Sequence, residues 1–166
     1  IVKATYKGNF VYATATEAYN LTVSGGWASG CTSQTLNPAN TILDGNQTGT
    51  VLALSATDLK SNLLVKGLTL RNGTKSGSGG GLYTVVGDGG TVTITSNTIS
   101  GNTAVWGGGG LYAMVGDDGT VTITSNTISG NTALVIGGGG IYASSAFITN
   151  NTISGNHRSG IELSGG

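Results

Sequence analysis

An all-β solenoid is what this sequence predicts: a parallel β-helix of roughly six rungs, each of three short strands. Three observations predict it. First, the segment Gly79–Val105 (GGGLYTVVGDGGTVTITSNTISGNTAV) returns at Gly108–Leu134 (GGGLYAMVGDDGTVTITSNTISGNTAL) and again, shortened, from Gly138 (GGGIYASSAFITNNTISGN). Leu82 to Leu111 is 29 residues and Leu111 to Ile141 is 30. A repeat of about 20–50 residues marks stacked units, each burying its apolar face on the next. Second, the repeats align into three apolar columns, namely Val65/Ile94/Ile123/Ile148, Leu70/Ile99/Ile128/Ile153 and Leu82/Leu111/Ile141/Ile161. Three inward columns suit three strands per turn. Third, the repeats are rich in Thr, Val, Ile, Asn and Gly and hold no helical periodicity.

The elements follow in order. One domain over 1–166 is expected, with irregular N-terminal rungs over 1–62, regular repeats of about 29 residues over 63–156 and a last partial rung over 157–166. Leu21–Val23, Thr41–Gly45 and Val51–Leu54 read as strands of the early rungs. Between them Trp27–Pro38 reads as a protruding loop. Leu63–Gly73 (LLVKGLTLRNG) carries the pattern of the later TVTITSNTISGN. Within TVTIT, alternation turns Val92 and Ile94 inward and the threonines outward. Two further columns, Asn97/Asn126/Asn151 and Asn102/Asn131/Asn156, are expected at corners. There Asn tolerates left-handed backbone and can bond to the same amide one rung away. The glycine runs 79–81, 107–110 and 137–140 mark other corners, where rungs approach closely. Val86–Gly90 and Val115–Gly119 read as a loop projecting from one side of two rungs only.

Composition narrows the function. Seven Lys+Arg balance seven Asp+Glu, so no basic surface is offered to nucleic acid. No apolar run approaches the length of a membrane span. Cys31 is the one cysteine, expected as a buried free thiol. The chain starts at Ile1 without Met and ends in mid-pattern, which suggests either a fragment or ends covered by another copy, the latter giving axial filaments.

The block Asn20–Gly45 (NLTVSGGWASGCTSQTLNPANTILDG), followed by GGG(L/I)Y…TITSNTISGNTA, resembles secreted bacterial right-handed parallel β-helix proteins of the adhesin-like kind. The GGG(L/I)Y and NTISGNTA signatures are similar to repeats of polymorphic outer-membrane proteins and autotransporter passengers. The resemblance implies a right-handed coil, and the hexapeptide period of left-handed coils is indeed missing. It also implies an extracellular or cell-surface location and a structural or adhesive role, as a stalk, an adhesin segment or a filament subunit.

The candidate surfaces are few. Tyr83, Tyr112 and Tyr142 form an outward column that would pack ring on ring or bind sugar rings, and Trp27 and Trp106 are possible contact residues of a ligand or assembly surface. The acids Glu17, Asp44, Asp58, Asp88, Asp117, Asp118 and Glu162 form no column with one another, so a glycosidase pair is not expected. Asp44 reads as a turn residue and Arg71 as a solvated surface cation. Asp88 and Asp117–Asp118 fit Gly-Asp turns better than a calcium site, and no cofactor or metal is expected. A Thr face (Thr91/Thr120, Thr93/Thr122, Thr95/Thr124) allows an ice-binding reading, flanked by Asn62, Leu64 and Lys66 on one side and Ser145, Phe147 and Thr149 on the other. The expected partners are thus another copy end to end or a surface glycan.

Overall fold

The computed structural model describes residues 1–15, 17–57, 60–144 and 146–164. Asp58, Ser145 and the last two glycines lie outside them. The chain winds through three parallel sheets in strict rotation. The first sheet holds Ala4–Lys7, Thr41–Asp44, Thr69–Arg71, Thr98–Ser100, Thr127–Ser129 and Thr152–Ser154. The second holds Phe10–Thr14, Leu52–Ala56, Leu82–Val86, Leu111–Val115, Gly138–Ser144 and Ser159–Ser164. The third holds Asn20–Ser24, Asn62–Lys66, Thr91–Thr95, Thr120–Thr124 and Ala146–Thr149. A two-residue strand that the sequence reading did not include, at Thr74–Lys75, Thr103–Ala104 and Thr132–Ala133, adds a narrow fourth sheet at the corner between the first and second. Thr103–Ala104 and Thr132–Ala133 bury one residue each and Thr74–Lys75 none, too few for alternation to show in the sequence.

Every neighbouring pair is parallel and one rung apart. Ile94 faces Val65 on one side and Ile123 on the other, Ile99 faces Leu70 and Ile128, and Leu111 faces Leu82 and Ile141. The predicted columns are therefore the register. All of these side chains are fully buried and form one continuous apolar rod. Toward the last rungs the rod thins, and Ile148 and Ile153 are only partly buried. The first rung, Ala4–Lys7 and Phe10–Thr14, was not foreseen as strands. Its sequence has no repeat partner, but Tyr6 and Phe10 take the inward places beneath Leu43 and Leu52.

The asparagine ladders are present, with one correction. The left-handed residue is the one before each ladder asparagine: Ser96, Ser125 and Asn150 precede Asn97, Asn126 and Asn151, and Gly101, Gly130 and Gly155 precede Asn102, Asn131 and Asn156. The ladder residue itself must turn its amide inward, and the preceding left-handed residue makes the bend that allows it. Asn97 Nδ2 donates to Asn126 Oδ1 at 3.1 Å and to the Val65 carbonyl at 2.9 Å. Asn126 and Asn131 continue to Asn151 and Asn156 at 3.0 Å. The two ladders flank the three-residue strands of the first sheet, so that every buried amide at these corners is satisfied in place.

The Trp27–Pro38 loop is pinned at its start: Trp27 bridges Val2 and Gln34, and two 3₁₀ turns, Ser29–Cys31 and Pro38–Asn40, follow. Two further expectations change. Cys31 is exposed, not buried, because it sits with φ of 56° at the outer end of that loop. The Val86–Gly90 and Val115–Gly119 segments are tight turns stacked on each other: Gly89 donates to the Asp117 carbonyl at 2.7 Å, and Asp88 Oδ1 accepts from the Asp117 amide at 2.9 Å.

Asp44 and Arg71 also read differently in three dimensions. They are register partners across one rung. Arg71 Nε donates to Asp44 Oδ2 at 2.9 Å, and Asn72 Nδ2 reaches both carboxylate oxygens. Asp44 also accepts from the Asn46 amide, so the turn role holds, with the carboxylate buried and paired while Arg71 stays partly exposed. Burial pushes its carboxyl up, yet the bonds from Asn46, Asn72 and Arg71 outweigh this and hold it below the ordinary range. A pKa lowered by folding stabilises the protein above the ordinary carboxylate pKa of about 4 and loses that effect as pH falls through the folded value. We therefore expect Asp44→Asn to lose about 1–2 kcal/mol at neutral pH and to flatten the stability decline below about pH 4. Urea midpoints at neutral and acid pH check this; a variant declining as steeply as the parent would detach Asp44 from the acid limb.

Candidate functional site

The outward face of the second sheet carries a ladder of aromatic side chains. Tyr83, Tyr112 and Tyr142 are register partners on successive rungs. Their rings are stacked with nearly parallel planes: Tyr83 and Tyr112 have centroids 5.2 Å apart at 3°, and Tyr112 and Tyr142 are 5.6 Å apart at 6°. The rung spacing of about 4.8 Å places the rings at stacking distance automatically. Burial between its two neighbours, followed by their own charges, pushes the Tyr112 phenol up.

Below Tyr83 the ladder stops. Its partners in the next rungs down are Ala53 and Val11. A methyl group replaces a ring, and the Tyr83 face turned away from Tyr112 borders open space. The connections from first to second sheet widen that space. The second rung makes this corner in seven residues (45–51), against ten in the third (72–81) and ten in the fourth (101–110). The result is an open groove of about 680 Å³, with Ala53 and Val11 along the column, Tyr83 and Tyr112 at its upper end, and Asn9, Thr50, Lys75 and Ser78 around it. That size lies within the range of small-molecule sites. Asn9 is held in place, donating to the Thr50 carbonyl at 2.9 Å and accepting from Thr48 Oγ1 at 2.9 Å.

The other candidates fall elsewhere. Tyr142 extends the stack beyond the groove. Trp106 is exposed at the corner leading into the second sheet, one residue before Gly107, where an added Cβ would touch the Tyr142 ring. Trp27 lies at the opposite corner, between third and first sheets, and its Nε1 donates to Ser24 Oγ at 2.9 Å; it holds the loop rather than joining the tyrosine face. The acids are dispersed: Asp44 is in its ion pair, Asp88 bonds the next turn, and none of the groove-lining residues is a carboxylate. Among the described residues no three of His, Cys, Asp and Glu gather as a metal site. The Thr face is in register over two rungs, with Leu64 and Phe147 standing in the place of the central threonine on either side. No helix among the described residues is long and apolar enough to cross a membrane. The groove is the feature that sequence reasoning missed. Its signal was the single step from Tyr to Ala in the column, at Ala53, visible only once the second rung is in register.

Six coaxial rungs of parallel strands around one apolar rod define a parallel β-helix solenoid. The chain belongs to the right-handed β-helix family: residues 61–166, more than half of the chain, match the model of the right handed beta helix region. No curated protein and no solved structure matches it.

Proposed function

We propose that this protein is a non-enzymatic adhesive β-helix, acting outside the cell or at its surface, whose rigid stack presents the tyrosine face to a saccharide. The single observation that carries this reading is the parallel Tyr83–Tyr112–Tyr142 stack ending in an open groove with a free ring face. An aromatic face offers apolar area to the C–H face of a sugar ring, and the hydroxyl and amide groups of Asn9, Thr50 and Ser78 suit its hydroxyls. A repetitive solenoid holds these groups on strands, so little ordering is required on binding.

The non-enzymatic part rests on the groove's lining. Hydrolysis of a glycosidic bond needs two carboxyl groups on either side of it, and the lining supplies none. Affinity electrophoresis of the purified chain through gels containing plant, bacterial and animal polysaccharides tests the reading. We expect retardation by at least one polysaccharide, loss of it in Tyr83→Ala/Tyr112→Ala, and oligosaccharides recovered at their original length after long incubation. Retardation unchanged in the double variant would remove the tyrosine face, and shortened oligosaccharides would make the protein an enzyme.

A further inference from the structure

The corner from first to second sheet changes length along the stack. It takes seven residues in the second rung, ten in the third and fourth, eleven in the fifth (130–140) and six in the sixth (155–160). The extra residue of the fifth rung is why Leu111 to Ile141 is 30 rather than 29. The longest corner turns apolar side chains outward. Leu134, Val135 and Ile136 are 54%, 43% and 56% exposed, and Trp106, one rung below Val135, is 46% exposed. Their backbone is fixed: Leu134 and Val135 donate to the Ala104 and Val105 carbonyls at 2.9 and 2.8 Å, and Trp106 donates to the Gly77 carbonyl at 3.1 Å. The stack itself therefore holds these side chains in water, and a contiguous apolar ridge of this kind marks a contact surface.

Charge on this corner has one sign. The segments 72–81, 101–110, 130–140 and 155–160 contain two charged residues, Lys75 and Arg158, and no carboxylate. Lys75 is in register with Ala104, and Arg158 follows His157, which bridges Thr132. The ridge thus has an exposed cation one rung below it and another one rung above. Among the described residues neither lies within ion-pair distance of an acid. Glu162 stands on the second sheet in register with Tyr142, and Asp88 and Asp117 occupy turns at the far side of that sheet.

We propose that this corner is a membrane-docking ridge, by which the protein lies on an anionic lipid surface without crossing it. Trp106 sits at the headgroup level, where an indole finds both an apolar and a wet side. Leu134, Val135 and Ile136 enter the boundary of the acyl chains, and Lys75 and Arg158 meet lipid phosphates. Two rungs cover about 10 Å of the axis. That is narrow for a protein partner, since a stable interface takes about 800 Å² from each side. A convex apolar edge rimmed by cations needs only the surface of a bilayer. The inference is independent of the saccharide reading, because plain phospholipid vesicles carry no sugar.

Co-sedimentation of the full chain with vesicles of phosphatidylcholine, alone or with one third phosphatidylglycerol, is the test. At low ionic strength we expect binding to the anionic vesicles to be tighter by at least about fivefold, the gain from one lysine or arginine near a charged surface, and that gain to fade as salt rises. Tryptophan emission of the bound protein should shift to the blue. In Trp106→Phe the bound fraction should show no shift, because Trp27 lies at another corner. Leu134→Ser/Ile136→Ser should bind at least about tenfold more weakly, the effect of burying one aliphatic side chain. Both residues are exposed, so the far-ultraviolet spectrum and urea midpoint of that variant should match the parent. No binding to either vesicle, or binding undiminished in the double serine variant, would overturn the proposal, and a blue shift persisting in Trp106→Phe would move the contact to Trp27 and overturn it too. A dimer that forms without lipid and dissociates in the double serine variant would make the ridge a contact between copies instead.

Discussion

Replacing Asn102 by Ala should lower the stability of this chain by about 3–5 kcal/mol, the loss expected from two or more buried polar groups left without partners. Asn102 is fully buried. Its Nδ2 donates to the Leu70 carbonyl at 3.1 Å and to Asn131 Oδ1 at 3.0 Å, and its Oδ1 accepts from the Gly73 amide at 2.8 Å. One truncation therefore strands the Leu70 carbonyl and the Gly73 N–H, both on the neighbouring rung, inside the buried corner. The same change at Asn151, half-buried at the far end of the other ladder, should cost about 1 kcal/mol, near the net value of an ordinary hydrogen bond. Urea unfolding of both variants measures the contrast. Equal small losses would mean that the ladders satisfy corners without holding them together.

A second large effect is expected at Gly80. A Cβ there would lie 2.5 Å from the carbonyl oxygens of both Gly109 and Thr103. Both are backbone atoms of the stack, so the clash can be relieved only by moving rungs apart. Overpacking a core with side chains free to yield costs about 1–3 kcal/mol; here the neighbours cannot yield, and we expect Gly80→Ala to cost at least about 3 kcal/mol or to prevent folding. Gly130→Asn is the contrasting change. Gly130 has φ of 62°, but no atom lies within 4 Å of its missing Cβ. Asn72, with φ of 57°, stands before Gly73, the residue in register with Asn102, just as Gly130 stands before Asn131. Thermal unfolding should place Gly130→Asn within about 1 kcal/mol of the parent, since Asn accepts left-handed backbone. If Gly80→Ala unfolds with Gly130→Asn, close approach is not the reason for these glycine runs.

How much of this was legible in the sequence varies by rung. From Leu63 onward most inward positions have a counterpart one rung away, and the copies name their own register: Ile99 on Ile128, Asn102 on Asn131, Tyr83 on Tyr112. The earliest rungs lack copies. Ala4–Lys7 and Phe10–Thr14 are short, half-exposed strands, and only pairing with Thr41–Asp44 and Leu52–Ala56 shows what they are. The Asp44–Arg71 pair is hidden for the same reason: Asp44 stands in a rung without a copy, and only its pairing with Thr69–Arg71 brings the two together. The tyrosine stack could be expected from the repeat alone. The groove beneath it could not, because it is made by what is missing, a ring at Ala53 and three residues at the corner between Asp44 and Leu52. Repetition announces a surface, and the break in repetition makes the site.

The 29-residue register has a genetic consequence. Excising residues 98–126 would join Asn97 to Thr127, and Leu70 would meet Ile128, Thr74 would meet Thr132 and Leu82 would meet Ile141, each a pairing of the kind already present. Nearly identical amino-acid repeats side by side allow unequal recombination wherever their codons match, and this architecture gives such an event a folded product. Length then changes in whole rungs of about 4.8 Å. Alleles would differ in how far the tyrosine stack runs, while the notch at its foot, built from Asn9, Ala53, Lys75 and Tyr83, is inherited intact.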